Sequence, residues 1–185
     1  MFAPGSRIEI RIAGGKVFEV SRDQSRERAL ARLRKLRRRL PLDSSLTAQT
    51  RMPAKPFLDS SVLIYAVAQE EARGTRAEEL LAMGSILSVQ VLSEFTSVAR
   101  RKIRMPWAEV REALAAIRIL CATPTPITAQ THETALRIGE QYSYGIYDAL
   151  IAAAALEAGC VTLYSEDFQD GQIIDGQLTI RNPFK

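Results

Sequence analysis

From Phe57 onward, short apolar runs alternate with longer stretches in which apolar residues recur every three or four positions. Such alternation forces strands to be joined through helices, so the strands pair mostly in parallel and both sheet faces need helical cover. The spacing predicts strands near 56–59, 86–89, 126–128 and 161–164, with a weaker strand pair around 172–181. It predicts helices over 61–68, 74–83, 90–102, 106–120, 129–142 and 147–158. The fold class is therefore α/β.

Four acidic residues lie where these apolar runs end or begin. Asp59 follows Phe57-Leu58, Glu94 follows Ile86-Leu87-Ser88-Val89, and Asp167 follows Val161-Thr162-Leu163-Tyr164. Asp148 opens the apolar stretch from Ala149 to Leu156. Open α/β sheets bind ligands beyond the carboxyl ends of their strands, where these side chains would converge. Carboxylates that close repel one another unless a cation lies between them. An all-oxygen donor set without imidazole or thiolate suits Mg²⁺ or Mn²⁺. Singly, each has a plainer explanation: Asp59 and Asp167 as helix caps, Asp148 as an N-cap, Glu94 on a solvated face.

Other chemistries find little support. His132 is the only histidine, which rules out a pair of histidines as acid and base. No Gly-x-Ser-x-Gly elbow is present. His132 is expected at the surface near the start of a helix. Cys121 and Cys160 lie far apart without metal-ligand spacing, and read as buried thiols of a reducing compartment. No apolar run is long enough to span a membrane, and the N-terminus lacks a signal-peptide core. A cytoplasmic location is expected.

The formal net charge of +4 conceals an asymmetry. Residues 1–51 carry 13 Lys/Arg against 5 Asp/Glu, whereas residues 52–185 carry 12 against 16. The basic part binds either nucleic acid or the acidic part. Residues 7–20 alternate polar and apolar around Gly14-Gly15, a β-hairpin pattern. Residues 22–40 form a basic helix with Leu30, Leu33, Leu36 and Leu40 along one face, stopped by Pro41. Residues 42–56 read as a linker. The run Arg100-Arg101-Lys102-Ile103-Arg104 is either a phosphate contact or a favourable helix C-terminus. Trp107, Tyr142, Tyr144 and Tyr147 either stack bases or serve cores.

The segments Phe57-Leu58-Asp59-Ser60-Ser61-Val62-Leu63-Ile64-Tyr65, Val91-Leu92-Ser93-Glu94-Phe95, Tyr147-Asp148-Ala149-Leu150-Ile151-Ala152-Ala153-Ala154 and Leu163-Tyr164-Ser165-Glu166-Asp167-Phe168 together resemble the PIN-domain ribonucleases, and most closely the VapC-type toxins. The resemblance covers about residues 53–185. It implies a three-layer α/β/α sandwich and hydrolysis of RNA phosphodiester bonds. Asp59, Glu94, Asp148 and Asp167 would be the catalytic, metal-binding carboxylates, with Mg²⁺ or Mn²⁺ as cofactor. Ser61 and Ser165 would orient them, with Glu166 as accessory. It also implies an antitoxin partner, in cis or in trans, and a homodimer.

Residues 3–45 resemble the second half of an AbrB-type, swapped-hairpin antitoxin: the hairpin from Pro4 to Val17, then the basic run from Ala29 to Pro41. In such pairs an antitoxin arginine enters the acidic pocket and displaces metal, which makes Arg37, Arg38 and Arg39 inhibitory candidates. The first strands of that family have no counterpart here, which disfavours operator DNA binding. Met52-Pro53-Ala54-Lys55-Pro56-Phe57 resembles the start of a toxin chain, so residues 1–51 and 52–185 read as a fused antitoxin-like segment and a nuclease domain. Two rival readings remain: a catalytically silent toxin–antitoxin module, and a DNA-binding repressor acting through the basic N-terminal part.

Overall fold

The structure is a computed structural model that describes residues 8–11, 17–20, 24–37, 55–68 and 70–185. The expected hairpin is present as β1 (Ile8–Arg11) and β2 (Val17–Val20), paired antiparallel. The basic helix follows as α1 (Gln24–Arg37). The main sheet contains β3 (Phe57–Leu58), β4 (Thr162–Tyr164), β5 (Ile173–Ile174) and β6 (Leu178–Arg181), in the order β3-β4-β6-β5. β3 and β6 both run parallel to β4, and only β5 is antiparallel. The mostly parallel sheet and its helices give the expected α/β class.

Six helices connect these strands: α2 (Ser60–Val67), α3 (Glu71–Ala82), α4 (Val89–Arg101), α5 (Trp107–Leu120), α6 (Ala129–Tyr142) and α7 (Ile146–Glu157). The expected strand at 86–89 shrinks to a parallel bridge from Ile86 to Phe57 and another from Ser88 to Thr125. Ser88 is already the N-cap of α4, its hydroxyl accepting from the Val91 amide, so the chain turns helical at Val89. The strand expected at 126–128 is likewise only the bridge at Thr125. Pro124 and Pro126 flank that residue and have no amide to extend a ladder. Thr128 then closes a capping box with Thr131, which commits the chain to α6.

The core spans both parts of the chain. Phe57, Leu58 and Leu163 of the sheet are fully buried with Leu63, Leu80, Leu81, Phe95, Ile117 and Ile151 of the helices. α7 is buried along Ala149–Ala155, and its small side chains let α6 approach closely, with Gly139 lying against Ala149. Ala29, Leu33 and Leu36 of α1 belong to the same core, packed against α5, α2 and α3. The leucine face of the basic helix is thus covered by the acidic part of the chain. Cys160 is buried and Cys121 half-buried, and desolvation raises both thiols, to about 11 and about 12. Both are inert at neutral pH. Among the described residues no helix is long and apolar enough to cross a membrane.

Because Leu33 is fully buried, Leu33→Ala should lower stability by about 2–5 kcal/mol. The exposed neighbour substitution Arg32→Ala should change it by less than about 0.5 kcal/mol. Chemical denaturation of both variants checks the pair.

Candidate metal and catalytic site

The site is assembled where β3 and β4 end side by side. Their parallel register pairs Leu58 with Tyr164, and the next amide, Asp59 N–H, donates to the Tyr164 carbonyl at 3.0 Å. Asp59 then caps α2 with extended backbone angles, its Oδ1 accepting from the Ser60 amide at 2.6 Å. Its Oδ2 accepts from the hydroxyls of Ser61 at 3.0 Å and Ser165 at 2.6 Å. The residue is only 2% exposed, so these three donors replace the water a carboxylate needs. Ser165 also accepts from the Asp167 amide at 3.1 Å, which sets the turn carrying Asp167. Ser61 and Ser165 therefore hold the acidic loop in place, and Ser165 is held in turn by its backbone N–H, which donates to the Arg181 carbonyl of β6 at 3.0 Å.

Glu94 enters from the second turn of α4, beside the buried stripe of Val91, Phe95 and Ala99. Asp148 enters from the first turn of α7. It does not cap that helix: the N-cap is Gly145, with no side-chain cap bond. The capping explanation fits Asp59, which does both jobs, but not Asp148.

Electrostatics join these carboxylates. Burial, then the charges of Asp59 and Asp148, and more weakly Asp167, push Glu94 up to about 7, against a hydrogen bond from the Ser60 side chain. Asp148 is raised by burial and by Asp59. Asp167 is raised by burial, then by Asp59, Glu166 and Asp148, while Lys102 opposes. Each of the three feels Asp59, so the four are brought into one field. Glu94 Oε2 is buried without a hydrogen-bond partner, an acceptor left open inside an acidic cluster. Among the described residues no three acidic, imidazole or thiol side chains are gathered tightly enough to grip an ion in this arrangement. The donor set still fits a hard cation: it is all oxygen, like-charged, and contains an orphaned acceptor.

The remaining candidates fall elsewhere. Glu166 accepts from Tyr65 Oη at 2.7 Å and pairs with Arg73 at 3.2 Å, facing α2 and α3 rather than Glu94 or Asp148. Arg37 does not enter the acidic pocket. Its Nη1 lies 2.9 Å from Glu78 Oε1 on α3, an ion-pair contact whose angle does not make a hydrogen bond, so both atoms lack one. The physical reason is proximity: α1 packs against α3, which sets the buried Glu78 carboxylate beside Arg37. Arg38 and Arg39 lie outside the described residues. His132 is exposed in the first turn of α6. Arg100 stacks on Trp107 at 4.9 Å and donates to the Met105 carbonyl, which closes the end of α4. Tyr142 and Tyr144 pack in the fold, while Tyr147 is exposed beside Asp148.

Sequence reasoning gave no role to Ser60, Tyr65 or Arg73, and read Lys102 only as part of the basic run 100–104. Ser60 was readable in principle as the residue after a capping aspartate. The link of Arg73 to Glu166 crosses 93 positions and leaves no local pattern.

A PIN-domain family model matches residues 57–169, and the chain belongs to the PIN-domain family. Among solved structures, it is similar to Mycobacterium tuberculosis VapC20, described as a Sarcin-Ricin loop cleaving toxin. That similarity is 24% identity over 59% of this chain and 87% of that chain, with a TM-score of 0.49. A search of curated proteins finds no match.

A pH dependence follows for the metal-free protein. Folded Glu94 keeps its proton up to about pH 7, whereas its ordinary value is 4.5. Folding therefore takes up a proton between those values, and stability falls as pH rises through that window. Asp148 and Asp167 shift in the same direction. Denaturant melts in chelator should show this decline, and Glu94→Gln should flatten it.

Proposed function

We propose that this chain is a Mg²⁺- or Mn²⁺-dependent endoribonuclease of the toxin type, acting on RNA and restrained by its antitoxin-like N-terminal segment. The observation that carries the reading is the coupled carboxylate cluster, in which Asp59 raises the proton affinity of its neighbours and Glu94 keeps an unpartnered oxygen. Membership of the PIN family supports it. Asp59, Glu94, Asp148 and Asp167 are the residues that would hold the ion. When bound, such an ion lowers the pKa of water and offsets charge on the phosphoryl oxygens.

The chain's own groups supply the positioning. Asp59 cannot swing, because its backbone amide, Ser60 N–H and two serine hydroxyls fix it. Ser165 transmits that order to Asp167 through its amide. Glu94 and Asp148 project from helices whose buried faces leave little freedom. Tyr65 and Arg73 hold Glu166 on the side of α2 and α3, from where its charge still acts on Asp167.

For restraint, the support is the docked α1. Its Arg37 end lies beside Gly74 and near the Tyr65 carbonyl, and Tyr65 in turn binds Glu166, the neighbour of Asp167. In this reading residues 1–51 are an antitoxin-like part and 52–185 a nuclease part, and a homodimer and further antitoxin contacts in trans belong to the same proposal.

Asp148→Asn keeps size but removes charge. It should leave the circular dichroism spectrum unchanged while Mn²⁺-dependent cleavage of RNA falls at least about a hundredfold; full retained cleavage would refute the assignment. Leu33→Glu, which puts a charge into the buried face of α1, should release the restraint. Cleavage by that full-length variant should exceed the parent's by about tenfold or more, because a tether otherwise keeps the segment in place. Equal rates would leave a nuclease without internal control.

A further inference from the structure

α1 carries more arginine than an amphipathic helix needs, and three of its arginines turn toward the protein. At one end, Arg26 Nη2 donates to the carbonyls of Ala82 at 3.1 Å and Leu120 at 2.8 Å. These are the last residues of α3 and α5, whose final carbonyls have no intrahelical partners and carry the negative end of the helix dipole. At the other end, Arg34 Nε donates to Glu78 Oε2 at 2.8 Å, and Arg37 reaches Oε1 of the same carboxylate. Glu78 is 4% exposed, and among the described residues the polar contacts of its carboxylate come from Arg34 and Arg37 of α1. One turn before it on α3 stands Gly74. A Cβ there would fall 2.6 Å from Arg37 Nη1 and 2.9 Å from its Cδ, so glycine makes the slot that the arginine fills.

The apolar contacts alone do not specify this placement. Ala29, Leu33 and Leu36 give a smooth stripe, and apolar attraction has no direction. Sliding α1 by one turn, about 5.4 Å, would keep much of that burial. Because Arg34 and Arg37 stand one turn apart, the slide would leave at most one of them opposite Glu78, so a buried carboxylate would lose half of its compensation. Arg26 would lose its two carbonyls in the same movement.

We infer that Glu78 and Gly74 make the groove of α2, α3 and α5 a selective receptor for a helix bearing arginines at the spacing of Arg26, Arg34 and Arg37. Its occupant is α1 of the same chain. An amphipathic basic helix with another arginine spacing is rejected, because it cannot serve Glu78 and the two carbonyls in one register. The inference rests on the docked helix and not on the ribonuclease reading, and its test measures no cleavage.

Hydrogen exchange of the full chain, followed residue by residue, is the experiment. In Glu78→Gln the amides of residues 29–37 should exchange about tenfold faster, with those of β4 and α7 unchanged. Gly74→Ala separates docking from helix stability, since alanine favours a helix interior yet occupies the Arg37 slot. It should speed α1 exchange while the α3 amides are protected as well as before, or better. Exchanging the charges, with Glu78→Arg alongside Arg34→Glu and Arg37→Glu, should restore α1 protection to within about threefold. Unchanged α1 exchange in Glu78→Gln would overturn the inference. So would an equal rise in β4 and α7, which would make Glu78 a support of the whole fold rather than a reader of α1.

Discussion

A carboxylate buried at the end of a strand is destabilising unless donors replace its lost hydration, and at Asp59 three donors come from two parts of the chain. The Ser60 amide and Ser61 hydroxyl belong to α2, and the Ser165 hydroxyl to the loop after β4. Charge-assisted bonds of this kind are short and strong. They tie the end of β3, the start of α2 and the exit from β4 to one side chain. The same anion then acts outward on Glu94, Asp148 and Asp167, each of which holds its proton more tightly because of it. Architecture and electrostatics of the site therefore share one origin.

Much of this was legible in the sequence because it is local. Helices at 106–120 and 129–142 were readable from apolar spacing, and the observed α5 and α6 begin and end within a residue of those limits. The four acids were visible because each borders an apolar run. What escaped was either shortened by local chemistry or made over distance. Pro124 and Pro126 cut a strand to a bridge, and Ser88 started α4 where a strand was expected. The pairing of Glu166 with Tyr65 and Arg73, and of Glu78 with Arg34 and Arg37, joins residues far apart in the chain. No periodicity records such contacts.

The opposite charges of the two parts meet, but not where charge alone would place them. The acidic pocket is the most concentrated negative field described, yet Arg37 stops at Glu78, whose carboxylate is nearer to the path of α1. Apolar burial brings α1 to its groove, and single carboxylates and carbonyls then choose its register. This division resembles protein interfaces generally, in which apolar area supplies attraction and a few directed polar contacts supply selectivity. Among the described cations, Lys102 moderates the carboxylate cluster by acting on Asp167.

The central claim is that these four carboxylates form a cation site. Anomalous diffraction from crystals of the full chain soaked in Mn²⁺ tests it most directly. The account predicts a peak among Asp59, Glu94, Asp148 and Asp167, with Glu94 Oε2 turned to the ion. Well-ordered crystals with no peak there, or with manganese bound only at other surfaces, would contradict it.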